Sequence, residues 1–137
     1  MGWKLEKDRP IYLQLVEELQ SRIVSGAYPP GTKIASVREL AADAAVNPNT
    51  MQRALAELEQ SGLLRAERTS GRFVTEDTGL IAQVRWSLGH ERLESFVREM
   101  LLLGYDRSAL LSLLREVLEE TEDTAEKMND EGERNHG

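Results

Sequence analysis

Asn47, Asn49, Thr50, Gln52 and Arg53 crowd amide, hydroxyl and guanidinium groups into one short stretch of the chain. Side-chain amides can pair bidentately with adenine, and hydroxyl and guanidinium groups suit base edges or phosphate, so a helix presenting this set could read nucleic acid. Acid–base and metal chemistry have no comparable cluster. His90 and His136 are the 2 histidines; the second lies in a polar end and no His/carboxylate cluster with ligand spacing surrounds the first, which reads as an ordinary helix residue. Glu116, Glu119, Glu120, Glu122 and Asp123 read as a solvated helix face rather than a cation site. Phosphate-cradling glycine motifs are absent, so neither an enzyme nor a bound cofactor is expected.

The flanking residues predict how the polar set is held. Asn47 is a good N-cap and Pro48 a good first helical residue, since proline lacks only an N–H that would be unpaired there. The helix that follows buries Met51, Ala54, Leu55 and Leu58 and leaves Asn49, Thr50, Gln52 and Arg53 at its exposed N-terminal end. Upstream, Ser36 three residues before Glu39 forms a capping box that starts another helix, with Val37, Leu40, Ala41 and Ala44 on one face. Small Ala44 and Ala45 allow close approach, and Val46 can plug the corner, giving a helix-turn-helix. Ser61-Gly62 ends the second helix. Leu63–Arg68 and Arg72–Thr75 read as strands joined by Thr69-Ser70-Gly71, a wing with Arg65, Arg68 and Arg72 around its tip. Ile11, Leu15, Leu19 and Ile23, widened by Tyr12 and Val16, mark a preceding helix that Gly26 and Pro29-Pro30-Gly31 stop.

These motifs together resemble a known family. Pro10-Ile-Tyr-Leu-Gln-Leu15, Ile23-Val-Ser-Gly-Ala-Tyr-Pro-Pro-Gly31, Ser36-Val-Arg-Glu-Leu-Ala41, Val46-Asn-Pro-Asn-Thr50 and Gly71-Arg-Phe-Val74 look like the N-terminal domain of GntR-type bacterial transcription regulators. The likeness covers roughly residues 9 to 75. Residues 78 to 127, with Phe96-Val-Arg-Glu-Met-Leu-Leu-Leu-Gly-Tyr105, are similar to the short helical tail of the YtrA-type branch. The resemblance implies DNA-facing roles for Ser36, Arg38, Asn47, Pro48, Asn49, Thr50, Gln52, Arg53, Arg68, Thr69, Gly71 and Arg72. Arg38 resembles the family's phosphate-contacting arginine, against the plainer alternative of a surface ion pair with Glu39 or Asp43. Asn47 could be only a cap. Gln52 stands where an arginine is often found, which favours adenine over guanine reading, and Arg53 is assigned to phosphate. Gly71 matches a glycine that comes close to the minor groove, or is simply a turn residue. Thr69 replaces a second wing glycine and Ala35 a proline at the helix entry.

Composition fits this reading. The chain has 137 residues, no cysteine and a net charge of −7. Through Glu76 ten Lys/Arg face ten Asp/Glu, and from Asp77 onward seven face fourteen, so the tail carries the acidity. Arg38, Arg53, Arg65, Arg68 and Arg72 are expected to gather on one side, with Glu17, Glu18, Glu57 and Glu59 elsewhere. An acidic tail would repel nonspecific DNA. No long apolar run or signal segment occurs, so a soluble, cytoplasmic protein without membrane contact is expected.

In the tail, Leu80, Val84, Leu88, Leu93, Phe96, Val97, Met100 and Leu101 form an apolar stripe with a kink expected at Gly89-His90. Gly104 stops it, Asp106 caps the next helix, and Leu110, Leu113, Leu114, Val117 and Leu118 line that helix. Such a hairpin leaves one side open, so Leu93, Phe96, Val97, Met100, Leu110, Leu113, Leu114 and Val117 are assigned to dimerisation. Trp86 is expected where the tail meets the winged helix, and Trp3 in a loose terminus.

The expected fold is mainly α with a small β wing (α+β): a winged helix-turn-helix over 1–76, a two-helix dimerisation hairpin over 77–127 and a disordered end over 128–137. The expected function is that of a homodimeric, sequence-specific regulator, a repressor on a pseudo-palindromic double-stranded DNA operator. The YtrA-type resemblance adds a neighbouring operon for an ATP-binding-cassette (ABC) transporter as target. An unidentified small-molecule effector would need the dimer seam or domain junction, because two helices cannot enclose a cavity of about 300 Å³. The alternative is a winged-helix protein-interaction module with an acidic docking tail.

Overall fold

The computed structural model describes the backbone of residues 2–135 and the side chains of residues 2–126. The elements are α1 (Ile11–Val24), α2 (Val37–Ala44), α3 (Pro48–Gln60), β1 (Leu64–Glu67), β2 (Gly71–Val74), α4 (Thr78–Leu102) and α5 (Arg107–Asn135). They divide into two compact units, one through Gly89 and one from His90, the division falling inside α4.

The first unit is a winged helix around a dry core. Helical spacing on α1 turns Leu15, Leu19 and Ile23 inward, and α3 contributes Met51, Ala54, Leu55 and Leu58. None of these is more than 1% exposed, and Leu40, Ala41 and Ala44 of α2 with Leu63, Leu64 and Val74 of the wing complete the interior. Each large aliphatic chain so buried contributes about 1.5–3 kcal/mol.

The corner between α2 and α3 is built by local hydrogen bonds. Ser36 Oγ accepts from the Glu39 amide at 3.2 Å and starts α2. Ala45 ends it in the left-handed conformation, φ 55° and ψ 47°, which lets the Val46 amide donate to the Ala41 carbonyl at 3.0 Å. That closure satisfies helix-end carbonyls which would otherwise lack partners. Val46 packs half-buried against the core, as a plug at the corner should.

β1 and β2 pair antiparallel, with Leu64 opposite Val74 and Glu67 opposite Gly71. β1 is two residues shorter than the expected Leu63–Arg68, and β2 keeps four residues but starts one earlier, so Gly71 opens it instead of closing the turn and Arg68, Thr69 and Ser70 form the tip. Residues 31–34 run along the other edge of β2: Val74 N donates to Thr32 O at 2.8 Å and Ile34 N to Arg72 O at 3.0 Å.

Three expectations are corrected. Trp3 is not loose: its indole Nε1 donates to Asp43 Oδ2 at 3.0 Å, and its ring lies 4.1 Å from the guanidinium of Arg22. Arg22 is 5% exposed. Burial lowers the pKa of Arg22, but hydrogen bonds with Tyr28 and Glu18 outweigh that and raise it, so the group stays charged. Trp86, expected at the junction, is 67% exposed.

The third correction concerns boundaries. Leu80, Ile81, Val84 and Leu88 of α4 pack on the winged-helix core, which carries that unit past residue 76. At the other end the backbone is helical through Asn135, where disorder was expected from 128. Once α5 is nucleated upstream each added residue gains a backbone hydrogen bond, and Met128, Glu131, Glu133 and Arg134 favour its continuation past Asn129, Asp130 and Gly132; His136 and Gly137 lie outside the described residues.

In the second unit Gly104, at φ 95°, ends the first helical run, and Asp106 Oδ1 accepts from the Ala109 amide at 2.9 Å, capping α5 as its sequence predicts. Among the described residues no side chain of this unit is buried. Gly89 and His90 lie within the continuous α4. No helix among the described residues is long and apolar enough to cross a membrane.

Candidate nucleic-acid interface

The helix-turn-helix presents the expected polar set on one side of α3. Burial of Met51, Ala54, Leu55 and Leu58 fixes the helix rotation, so Asn49, Gln52 and Arg53 are exposed together and Thr50 is half-buried. Asn47 is the cap: its Oδ1 accepts from the Asn49 amide at 2.8 Å, which commits the oxygen but not the Nδ2 donor group. Pro48 occupies the first helical position. The guanidinium of Arg53 stacks 3.6 Å from the ring centroid of Tyr12 on α1, a contact that narrows its rotamer choice and leaves its N–H groups to donate.

Charge at the wing differs from expectation. Arg72 forms an ion pair through Nε with Glu59 of α3, and its side chain is only 19% exposed. Glu59 therefore does not lie apart from the arginines; it ties the wing to α3. Arg65 pairs with Glu67 at 2.5 Å and lies 5.4 Å from the Phe73 ring. Arg68 sits exposed in the tip.

Arg38, at the second position of α2, is exposed, and the ion pair with Glu39 or Asp43 weighed above does not form. Between this helix start and the wing tip lies an open groove of about 600 Å³, lined by Lys33, Ser36, Arg38, Thr69, Gly71 and Arg72 among others. Lys33 was missed in the sequence. It is exposed there, and its register is fixed by the bridge to Phe73. A Cβ built on Gly71, whose φ is 104°, would come 3.0 Å from Lys33 Cε. Glycine at 71 thus meets two demands, a left-handed backbone and room for the lysine stem.

Other chemistry has little to work with. Groups of three or more His, Cys, Asp or Glu able to hold a metal do not occur among the described residues. The second unit bears an open groove of about 400 Å³ lined by His90, Leu93, Glu94, Val97 and Arg98 of α4. It lies open along one helix instead of being enclosed, so it is not the enclosed cavity that two helices were expected to be unable to form. His90 Nδ1 lies 3.2 Å from Glu94 Oε1 within it.

A buried helix-turn-helix with an exposed recognition face, flanked by a two-stranded wing, defines a winged-helix DNA-binding protein. The chain belongs to the GntR family: the family described as "Bacterial regulatory proteins, gntR family" matches residues 11–74, and the likeness to whole relatives extends into the tail. It is 36% identical over 111 residues to the uncharacterized HTH-type transcriptional regulator YhcF of Bacillus subtilis, covering 81% of this chain and 92% of that protein. It is 28% identical to the HTH-type transcriptional repressor YtrA of the same organism, covering 79% and 84% respectively. A GntR family transcriptional regulator from Listeria monocytogenes superposes with a TM-score of 0.77 at 37% identity, over 82% of this chain and 98% of that one. The protein is a DNA-binding transcription regulator and not an enzyme.

Proposed function

We propose that the protein works in the cytoplasm as a homodimeric repressor on a pseudo-palindromic operator. The observation that carries the DNA half of this reading is the set of exposed groups on the winged helix: Asn49, Gln52 and Arg53 on α3, with Arg38 and Arg68 engaging no carboxylate among the described residues. α3 enters the major groove by its N-terminal end, Gln52 and Asn49 meet base edges, and Arg38 and Arg53 meet phosphates. Thr50 lies at the groove wall, and Ser36, Asn47 and Pro48 bring backbone close to the strand. The tip, with Arg68, Thr69 and Gly71, follows the adjacent minor groove.

Dimerisation is supported by the tail. Leu93 and Val117 are 57% and 46% exposed, Phe96 is 37% exposed, and Val97, Met100, Leu110, Leu113 and Leu114 are half-buried at most. A second copy covers these residues and sets two recognition helices about 34–36 Å apart, one turn of B-DNA. Occlusion of a promoter is then sufficient for repression. The resemblance to the YtrA-type branch makes a neighbouring ABC-transporter operon the first target to examine, and the open groove on α4 the first place to look for an effector.

The test is selection of genomic DNA fragments by the purified protein, followed by binding to the enriched duplex and to a scrambled one at two salt concentrations. Preference for the enriched duplex, with two chains per site and affinity falling as salt rises, is the expected result. Equal, weak binding to both duplexes would reject the operator reading in favour of a protein-interaction module.

A further inference from the structure

We propose that Lys33 is a backbone contact of the wing, holding a DNA phosphate in the groove between the start of α2 and the wing tip, and that Arg72 locks the wing to α3 instead. This inference rests on the DNA-binding reading and adds to it a residue that motif and resemblance did not supply.

Few cations at the wing are free to meet an anion. At the wing, Arg72 is ion-paired to Glu59 and only 19% exposed, and Arg65 is held by Glu67. Moving Arg72 onto phosphate would strand the half-buried Glu59 beside the polyanion, a cost that offsets the contact, whereas Arg65 is in a solvated pair that carries Glu67 with it toward the DNA. Among the described residues Lys33 has no carboxylate within ion-pair distance; it lines the groove that also receives Arg38 and is exposed.

Position strengthens the case. Residues 31–34 are tied to β2 by hydrogen bonds from Gly31 N to Val74 O, from Val74 N to Thr32 O and from Ile34 N to Arg72 O, at 2.8 to 3.0 Å. Lys33 is therefore carried on what amounts to a third edge of the wing and moves with it. Its stem lies over Gly71, where a Cβ would stand 3.0 Å from Cε and 3.8 Å from Nζ. The ammonium is thus delivered to the segment of wing expected nearest the DNA.

A phosphate contact has a signature that a structural role lacks. Removing one lowers the slope of log affinity against log salt by about 1 and weakens operator and scrambled DNA by the same factor. Lys33→Met keeps the stem over Gly71 and deletes only the charge. Binding of the full chain to both duplexes is measured across salt, with melting temperature recorded for each variant. Lys33→Met should lose about five- to tenfold in affinity near 0.1 M salt on both duplexes and lower the slope by about 1. Lys33→Arg should restore the slope, and Arg72→Ala should lower the melting temperature while leaving the slope unchanged. An unchanged slope in Lys33→Met, with wild-type binding strongly salt-dependent, would overturn the proposal and leave the DNA-binding reading standing. A slope lost in Arg72→Ala and kept in Lys33→Met would overturn it in favour of the motif-based assignment. Salt-insensitive binding by the wild type itself would overturn the DNA-binding reading, and this proposal with it.

Discussion

The winged-helix unit closes its apolar surface on itself, whereas the tail leaves its own apolar surface open. Leu15, Met51, Ala54, Leu55, Leu63 and Val74 are 0% exposed in the first; in the second, no described side chain is buried. A closed core can hold a recognition helix in fixed rotation by itself. An open pair of helices has to borrow the missing surface, and the second copy proposed above would also give the DNA-binding unit twofold symmetry. The contrast is the basis for proposing DNA reading for one unit and assembly for the other.

The largest effect expected from breaking that contrast lies in the closed core. Leu55→Ala leaves a cavity between α3 and its neighbours and should cost about 2–5 kcal/mol in denaturant unfolding. The converse change, Phe96→Glu with Leu113→Glu, should spare the winged helix, as judged by its near-ultraviolet dichroism, yet turn the dimer to monomer in sedimentation. Operator affinity should then fall by about a hundredfold or more, because linked sites lose their shared avidity. A double variant that still sediments as a dimer would move the interface elsewhere.

Smaller effects sharpen the picture within the closed unit. Trp3→Ala removes the ring over Arg22 and the bond to Asp43, and should cost about 1–3 kcal/mol by thermal or denaturant unfolding. Ala45→Gly relieves a left-handed alanine, a strain of about 1–2 kcal/mol. The added freedom of glycine in the unfolded chain costs part of that gain. The net should be a rise in stability of about 1 kcal/mol or less, seen as a few degrees in melting temperature.

How much could be read beforehand follows from the range of the interactions. Caps act over two or three residues, so Ser36 with Glu39, Asn47 with Asn49 and Asp106 with Ala109 were legible, and so was the 3.6-residue stripe that buries Met51, Ala54, Leu55 and Leu58. Pairings across the fold were not. Trp3 meets Asp43 over a separation of 40 residues, and Arg72 meets Glu59 over 13, and no local pattern announces either. Lys33 was invisible for the same reason: its place beside Gly71 depends on residues 31–34 adding to the wing, which hydrophobic periodicity does not encode. Left-handed Ala45 was hidden because alanine rarely takes a position that glycine favours.

On this reading, exposed groups on α2, α3 and the wing grip DNA in two symmetric copies. Hydroxyl-radical footprinting on the duplex recovered by genomic selection tests it most directly. Two protected stretches on one face of the duplex, about one helical turn apart, that vanish in an Arg38→Ala, Arg53→Ala variant of unchanged melting temperature are the predicted result. A single protected stretch, or two that survive loss of both arginines, would contradict the account.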